Sequence, residues 1–172
     1  MIDHYIVDTV TRELDAGTIA AIEGAERYFD VIEGKFPVGL NRIDWERHPQ
    51  ARIITVFRDE LQERHSDETA LALSRVRDVV AGWFAAAEID LAQSVVWIGD
   101  NTDMGLEMSA ACLLEVFPKL FSFPQHSYGL PKDGAWCLNY VMEGELFFGI
   151  ADDRGSTTGA GARDRIHETE QR

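Results

Sequence analysis

The chain reads as an α+β protein, with N-terminal helices packed on a C-terminal antiparallel β-sheet arranged as a meander. Three observations predict this. Over much of the first half, apolar residues recur at spacings of three and four, the period of a helix face. After residue 93 the pattern changes to short β-branched and aromatic runs. The last of these runs are separated by Pro131-Lys132-Asp133-Gly134 and by Glu143-Gly144, which carry turn and hairpin chemistry. Helices first and an antiparallel sheet late define the α+β class.

In chain order, Ile2, Tyr5, Ile6, Val10 and Leu14 mark the inner face of a first helix. Asp15 and Thr18 suit the cap of a second, with Ile19, Ile22, Phe29 and Ile32 turned inward and Gly34 ending it. Residues 35–50 hold Pro, Gly and Asn and read as a loop with at most one turn. Ile53, Ile54, Val56, Phe57 and Leu61 fit a helix or a short strand, and helix is preferred. Ser66 opens a longer helix over 67–88, whose inner face carries Leu71, Val76, Val79, Val80, Trp83 and Phe84. Ser94–Ile98 reads as a buried strand followed by the turn Gly99-Asp100-Asn101. Residues 105–117 return to helix, ended by Pro118. From Ser127 a three-stranded meander follows, with strands over 135–142 and 145–151. The domain is expected to span residues 1–153. Residues 154–172, rich in Gly, Ser, Thr and charge, bury too little apolar surface to offset the entropy of ordering and read as a flexible tail.

The chain has 172 residues, enough for one domain with a substantial core, and 45% of them are hydrophobic. Thirty acids against 16 bases give a formal net charge of −14. Such a field repels phosphate backbones and attracts basic partners, so direct nucleic-acid binding is not expected. The bases are also unevenly spread. Between Asp78 and Pro118, 41 residues pass without a Lys or Arg, while seven carboxylates occur: Asp78, Glu88, Asp90, Asp100, Asp103, Glu107 and Glu115. Folded surfaces ordinarily mix signs, because like charges held together repel. Asp78 and Glu88 fit the solvated side of a helix, which narrows the informative part to Asp100, Asp103 and Glu107.

Cys112 and Cys137 both lie in apolar patterns, as expected of buried thiols in a reducing compartment. The N-terminus lacks the basic and apolar regions of a signal peptide, and no apolar run reaches the roughly 20 residues needed to span a bilayer. A cytoplasmic protein that does not engage membranes is expected.

Catalytic signatures are weak. Cys137 or Cys112 with His126 would supply the elements of a small cysteine-dependent hydrolase, since a thiolate needs a base nearby. Yet Cys112 sits in Ala110-Ala111-Cys112-Leu113-Leu114 and Cys137 follows Trp136 in a strand, both settings of core residues. The five histidines are scattered through the sequence, so no metal is expected. Asp100-Asn101-Thr102-Asp103 lacks the Gly and distal Glu of a calcium loop. No phosphate-binding glycine motif occurs, and no cofactor is expected. What remains is acidic surface interleaved with aromatics: Trp45 between Asp44 and Glu46, Trp97 before Asp100 and Asp103, and a hairpin tip with Glu143 and Glu145. Aromatics anchor interfaces and charges steer partners toward them. Trp97 and Trp136 read as core; Trp45 lies in a segment with no clear apolar period.

Phe117-Pro118-Lys119-Leu120-Phe121, Pro124-Gln125-His126-Ser127-Tyr128 and Asp133-Gly134-Ala135-Trp136-Cys137-Leu138-Asn139-Tyr140 together resemble bacterial immunity proteins of the contact-dependent growth inhibition type. The resemblance covers about 35 residues near the C-terminal end and includes no strict motif. It implies a small cytosolic protein without catalytic residues that neutralises the toxic C-terminal domain of a delivered toxin in a 1:1 complex. A nuclease toxin fits the charge, because its substrate groove must be basic to hold phosphates. The expected partner-binding residues are Asp100, Asp103, Glu107, Glu143 and Glu145, with Asp44, Trp45 and Glu46 as a second patch. The alternatives are the cysteine hydrolase and a nucleic-acid mimic directed at a housekeeping DNA-binding protein.

Overall fold

In a computed structural model, which describes residues 2–39, 42–56, 67–121 and 125–151, the chain builds an α+β fold around a seven-stranded sheet whose strands all pair antiparallel. The elements are α1 (Ile2–Thr9), α2 (Thr11–Asp15), β1 (Ile19–Ile22), α3 (Arg27–Lys35), β2 (Val38–Gly39), β3 (Arg42–Ile43), a 3-10 turn (Trp45–Arg47), β4 (Arg52–Thr55), α4 (Asp67–Ala86), β5 (Ser94–Gly99), β6 (Gly105–Ser109), α5 (Ala110–Leu120), β7 (Ser127–Pro131), β8 (Trp136–Val141) and β9 (Glu145–Ile150). The sheet order is β1-β6-β5-β7-β8-β9-β4, and β2–β3 form a separate hairpin. The expected meander is present as β7-β8-β9. The sheet, however, also recruits two strands from the first half of the chain, and these form its two edges.

Several elements differ from the sequence expectation. Ile19–Ile22 is a strand rather than the start of a helix, because it pairs with β6 from Ile19↔Met108 to Ile22↔Gly105. The spacing of Ile19 and Ile22 suits either period, and pairing decides it. The helix that carries Phe29 and Ile32 begins only at Arg27 and runs through Gly34 to Lys35. Tyr5, placed on an inner face, is exposed. Residues 35–50 contain a hairpin and a 3-10 turn, and Arg52–Thr55 is a strand paired with β9; Phe57 and Leu61 lie outside the described residues, as does the expected tail 154–172.

The expected helix 105–117 divides in two. Leu106 and Met108 are buried and Glu107 faces the opposite side, the period-two pattern of a strand. Ser109 then switches the chain to helix: its Oγ accepts from the Cys112 backbone N–H at 3.1 Å, an N-cap. Pro118 does not end that helix, which continues to Leu120, where both Phe117 and Leu120 are buried.

Alternation along the strands divides the core. Val95, Trp97, Leu106, Trp136, Leu138, Tyr140, Leu146 and Phe148 point to one face, where they pack with Ile6 and Val10 of α1, Val76, Val80 and Phe84 of α4, and Leu113, Phe117 and Leu120 of α5. Val96, Ile98, Tyr128, Leu130 and Cys137 point to the other, under Tyr28 and Ile32 of α3 and under Phe36, Ile43 and Trp45. The sheet is thus covered on both faces, by three long apolar stripes on one and by a shorter layer on the other.

Candidate functional site

The shorter layer leaves an open groove of about 820 Å³ above β9 and β4. Its lining comes from the segment running from β2 to the 3-10 turn and from the β8–β9 hairpin with β4. The floor is apolar. Trp45 stacks parallel on Phe147 with centroids 5.4 Å apart, and Ile53 of β4 stands beside them. Trp45 reaches this position because Gly149 clears the strand: a Cβ there would lie 2.6 Å from Trp45 Cζ3. The indole is then fixed by its Nε1–H, which donates to Asn139 Oδ1 at 2.9 Å. Asn139 in turn donates through Nδ2 to the carbonyls of Ser127 and Tyr140. Trp45 is therefore a buried anchor, 8% exposed, rather than an exposed contact residue.

Four carboxylates surround this floor: Asp44 and Glu46 from one wall, Glu143 and Glu145 from the other. Glu46 and Glu143 are exposed, Asp44 and Glu145 half-buried. The hairpin that presents the second pair has the loop Met142-Glu143-Gly144, closed by Gly144 N–H donating to the Val141 carbonyl and turned by Gly144 at φ +89. That left-handed value is open to Gly at little cost. Arg42 is the guanidinium in the lining; its Nη1 bridges to Glu143 Oε1 at 3.1 Å. The Glu143 carboxyl is held below its ordinary range, by a hydrogen bond from its own backbone and then by Arg42, so it stays charged.

The same Arg42 Nη1 lies 3.2 Å from His126 Nε2, and the His126 backbone N–H donates to Asp100 Oδ1 at 3.2 Å. Asp100 is thereby tied to the groove's edge through two intervening residues. Glu107 is not. It projects from β6, four strands away from β9 and so about 19 Å across the sheet at the usual strand spacing. There it is bonded to Lys132 and to Ser94 Oγ, which lower its pKa. Asp103, in the β5–β6 connection, is exposed and takes no part in the groove. The structure therefore splits the first expected patch: Glu143 and Glu145 join the second patch, Asp44–Glu46, around the groove, while Asp103 and Glu107 lie apart from it.

Residues missed by the sequence reading include Arg42, Ile53, Phe147 and His48. His48 is 3% exposed and lines the groove. Its Nε2 lies 2.8 Å from the Ile150 carbonyl, so this nitrogen carries a proton and donates. Its Nδ1 is buried without a hydrogen-bond partner. A histidine between Trp45 and the β4 strand offered no periodicity by which to find it.

The thiols are placed differently from a nucleophile. Burial pushes the fully buried Cys137 thiol far up, and it also raises Cys112. His126 contacts Arg42, the Met142 N–H and Asp100 rather than either sulfur. Among the described residues, no group of three or more His, Cys, Asp or Glu side chains is placed to hold a metal ion, and no helix is long and apolar enough to cross a membrane. Comparison with known proteins returns no matching family model, no matching curated protein and no matching solved structure.

Proposed function

We propose that this chain is a non-enzymatic inhibitor of the immunity type, which binds a basic toxin domain, a nuclease, in a 1:1 complex and covers the surface that holds its phosphates. The observation that carries this reading is the groove itself. Two pairs of carboxylates far apart in sequence meet around one aromatic floor, Trp45 on Phe147. Carboxylates at a rim steer a cationic partner and speed encounter, while a desolvated aromatic centre slows dissociation. The net charge of −14 adds a long-range field of the same sign.

The test is a binding measurement with a toxin domain sought in the neighbouring upstream reading frame. With Asp44, Glu46, Glu143 and Glu145 all changed to Lys, affinity at low salt should fall by orders of magnitude while circular dichroism and the melting transition are retained. Association to the parent protein should also slow as salt is raised. Undiminished affinity of the four-fold variant at low salt would sink the proposal.

A further inference from the structure

The groove is bordered by β4, an edge strand of the sheet. Its register with β9 shows which of its backbone groups are already used. Val56 N–H donates to the Gly144 carbonyl at 2.7 Å, and Val56 follows the pair Thr55↔Glu145. Antiparallel ladders alternate between bonded and non-bonded pairs. Ile54 and Arg52 therefore also turn their N–H and C=O groups toward β9, and Ile53 and Thr55 turn theirs outward. Among the described residues, no strand pairs with that outward edge. The side chain of Ile53 points into the groove and is 53% exposed, while Arg52 and Ile54 lie on the opposite, helix-covered face.

Resting on the reading of the groove as a partner-binding site, we infer that β4 is a docking edge: an extended, basic segment of the partner adds to the sheet as an eighth strand and lays its cationic side chains over the groove. Strand addition takes affinity from main-chain hydrogen bonds and specificity from alternate side chains. An added strand sends every second side chain to the groove face. There Glu145 and Glu143 meet a Lys or Arg. Charge selects the occupant. A second copy of the chain would set carboxylates against carboxylates. The two neighbouring stretches outside the described residues are also net acidic in sequence, 57–66 with three acids to two arginines and 152–172 with five acids to four.

The experiment uses the full chain and two fluorescein-labelled peptides of alternating lysine and threonine, equal in length and charge, one of them methylated at every backbone nitrogen. Methylation removes the donors of the added strand and leaves the charge unchanged. Fluorescence anisotropy at low salt should show the unmethylated peptide binding at least about tenfold more tightly. Thr55→Pro removes one outward N–H and leaves the inner ladder intact, as a melting curve would verify; it should abolish the difference between the peptides. Glu143→Lys with Glu145→Lys should weaken both. If the peptides bind equally and only the charge variant matters, the edge proposal is overturned and the acidic-groove reading stands. If neither peptide binds, both fail.

Discussion

The two faces of the central sheet are made by the same strands, since each of β5, β8 and β9 sends alternate side chains to either side, yet the faces are finished differently. On the first, α1, α4 and α5 lay long apolar stripes across the strands, and Phe84, Trp136 and Phe148 form a three-ring cluster with centroids 4.8 to 6.1 Å apart. That face is a dry core. On the second, α3 covers the middle strands, and the rest of the cover is a hairpin and a 3-10 turn anchored by one tryptophan. Short elements carry too little apolar surface to roof β9 and β4, so a groove remains, and its rim is charged. The lesson is that the site arises where the layer runs out, and the aromatic floor is continuous with the core beneath it.

Three substitutions test that contrast, in order of expected size. Phe84→Ala empties part of the dry face and should cost about 3–5 kcal/mol in urea unfolding. Partner binding by the folded fraction should stay at its parental affinity. A loss under about 1 kcal/mol would mean that the first face is not close-packed and the contrast is false. Asn139→Ala acts on the second face: it leaves the buried Trp45 Nε1–H without an acceptor and should cost about 1–3 kcal/mol. Here stability and binding should fall together, because the groove's floor is what is being released. Unchanged binding would detach Trp45 from the site.

Glu107→Gln probes the far end of the second face and should have the smallest effect. The Glu107 carboxyl is held low by Lys132 and Ser94, so its folded pKa lies below the unfolded one. Its contribution is therefore present above the ordinary carboxylate range, near pH 4.3, and is lost as pH falls through the lowered folded value. With the pair largely solvated, the variant should lose at most about 1 kcal/mol at pH 7, and parent and variant should converge in acid. Partner affinity should not change. A large binding defect in Glu107→Gln would restore Glu107 to the interface and redraw its boundary.

How much of this was legible in the sequence can be judged residue by residue. The meander announced itself through turn chemistry, and α4 through its three-and-four spacing, since both signals are local. Gly105–Ser109 did not, because two buried residues at i and i+2 before a helix can be absorbed into the helix pattern; pairing on both sides with β1 and β5 is what makes it a strand. β4 failed for a related reason: Ile53 and Ile54 are adjacent, and only the ladder to β9 sorts one to the groove and the other to the core. Of the site, the carboxylates were visible as charge and the aromatics as composition. Gly149, which makes room for Trp45, looked like any strand glycine.

The sequence by itself determined the class of fold, the acidity of the surface and the places where short polar turns connect apolar runs, because these depend on local periodicity and on charge that is summed without regard to geometry. Only the tertiary structure decided which acids share a surface. Arg42 and Glu143 lie 101 positions apart and meet because β4 closes on β9 while Trp45 docks on Phe147. Such contacts are set by register and by which side chains find burial, and neither quantity is carried by any short stretch of the chain.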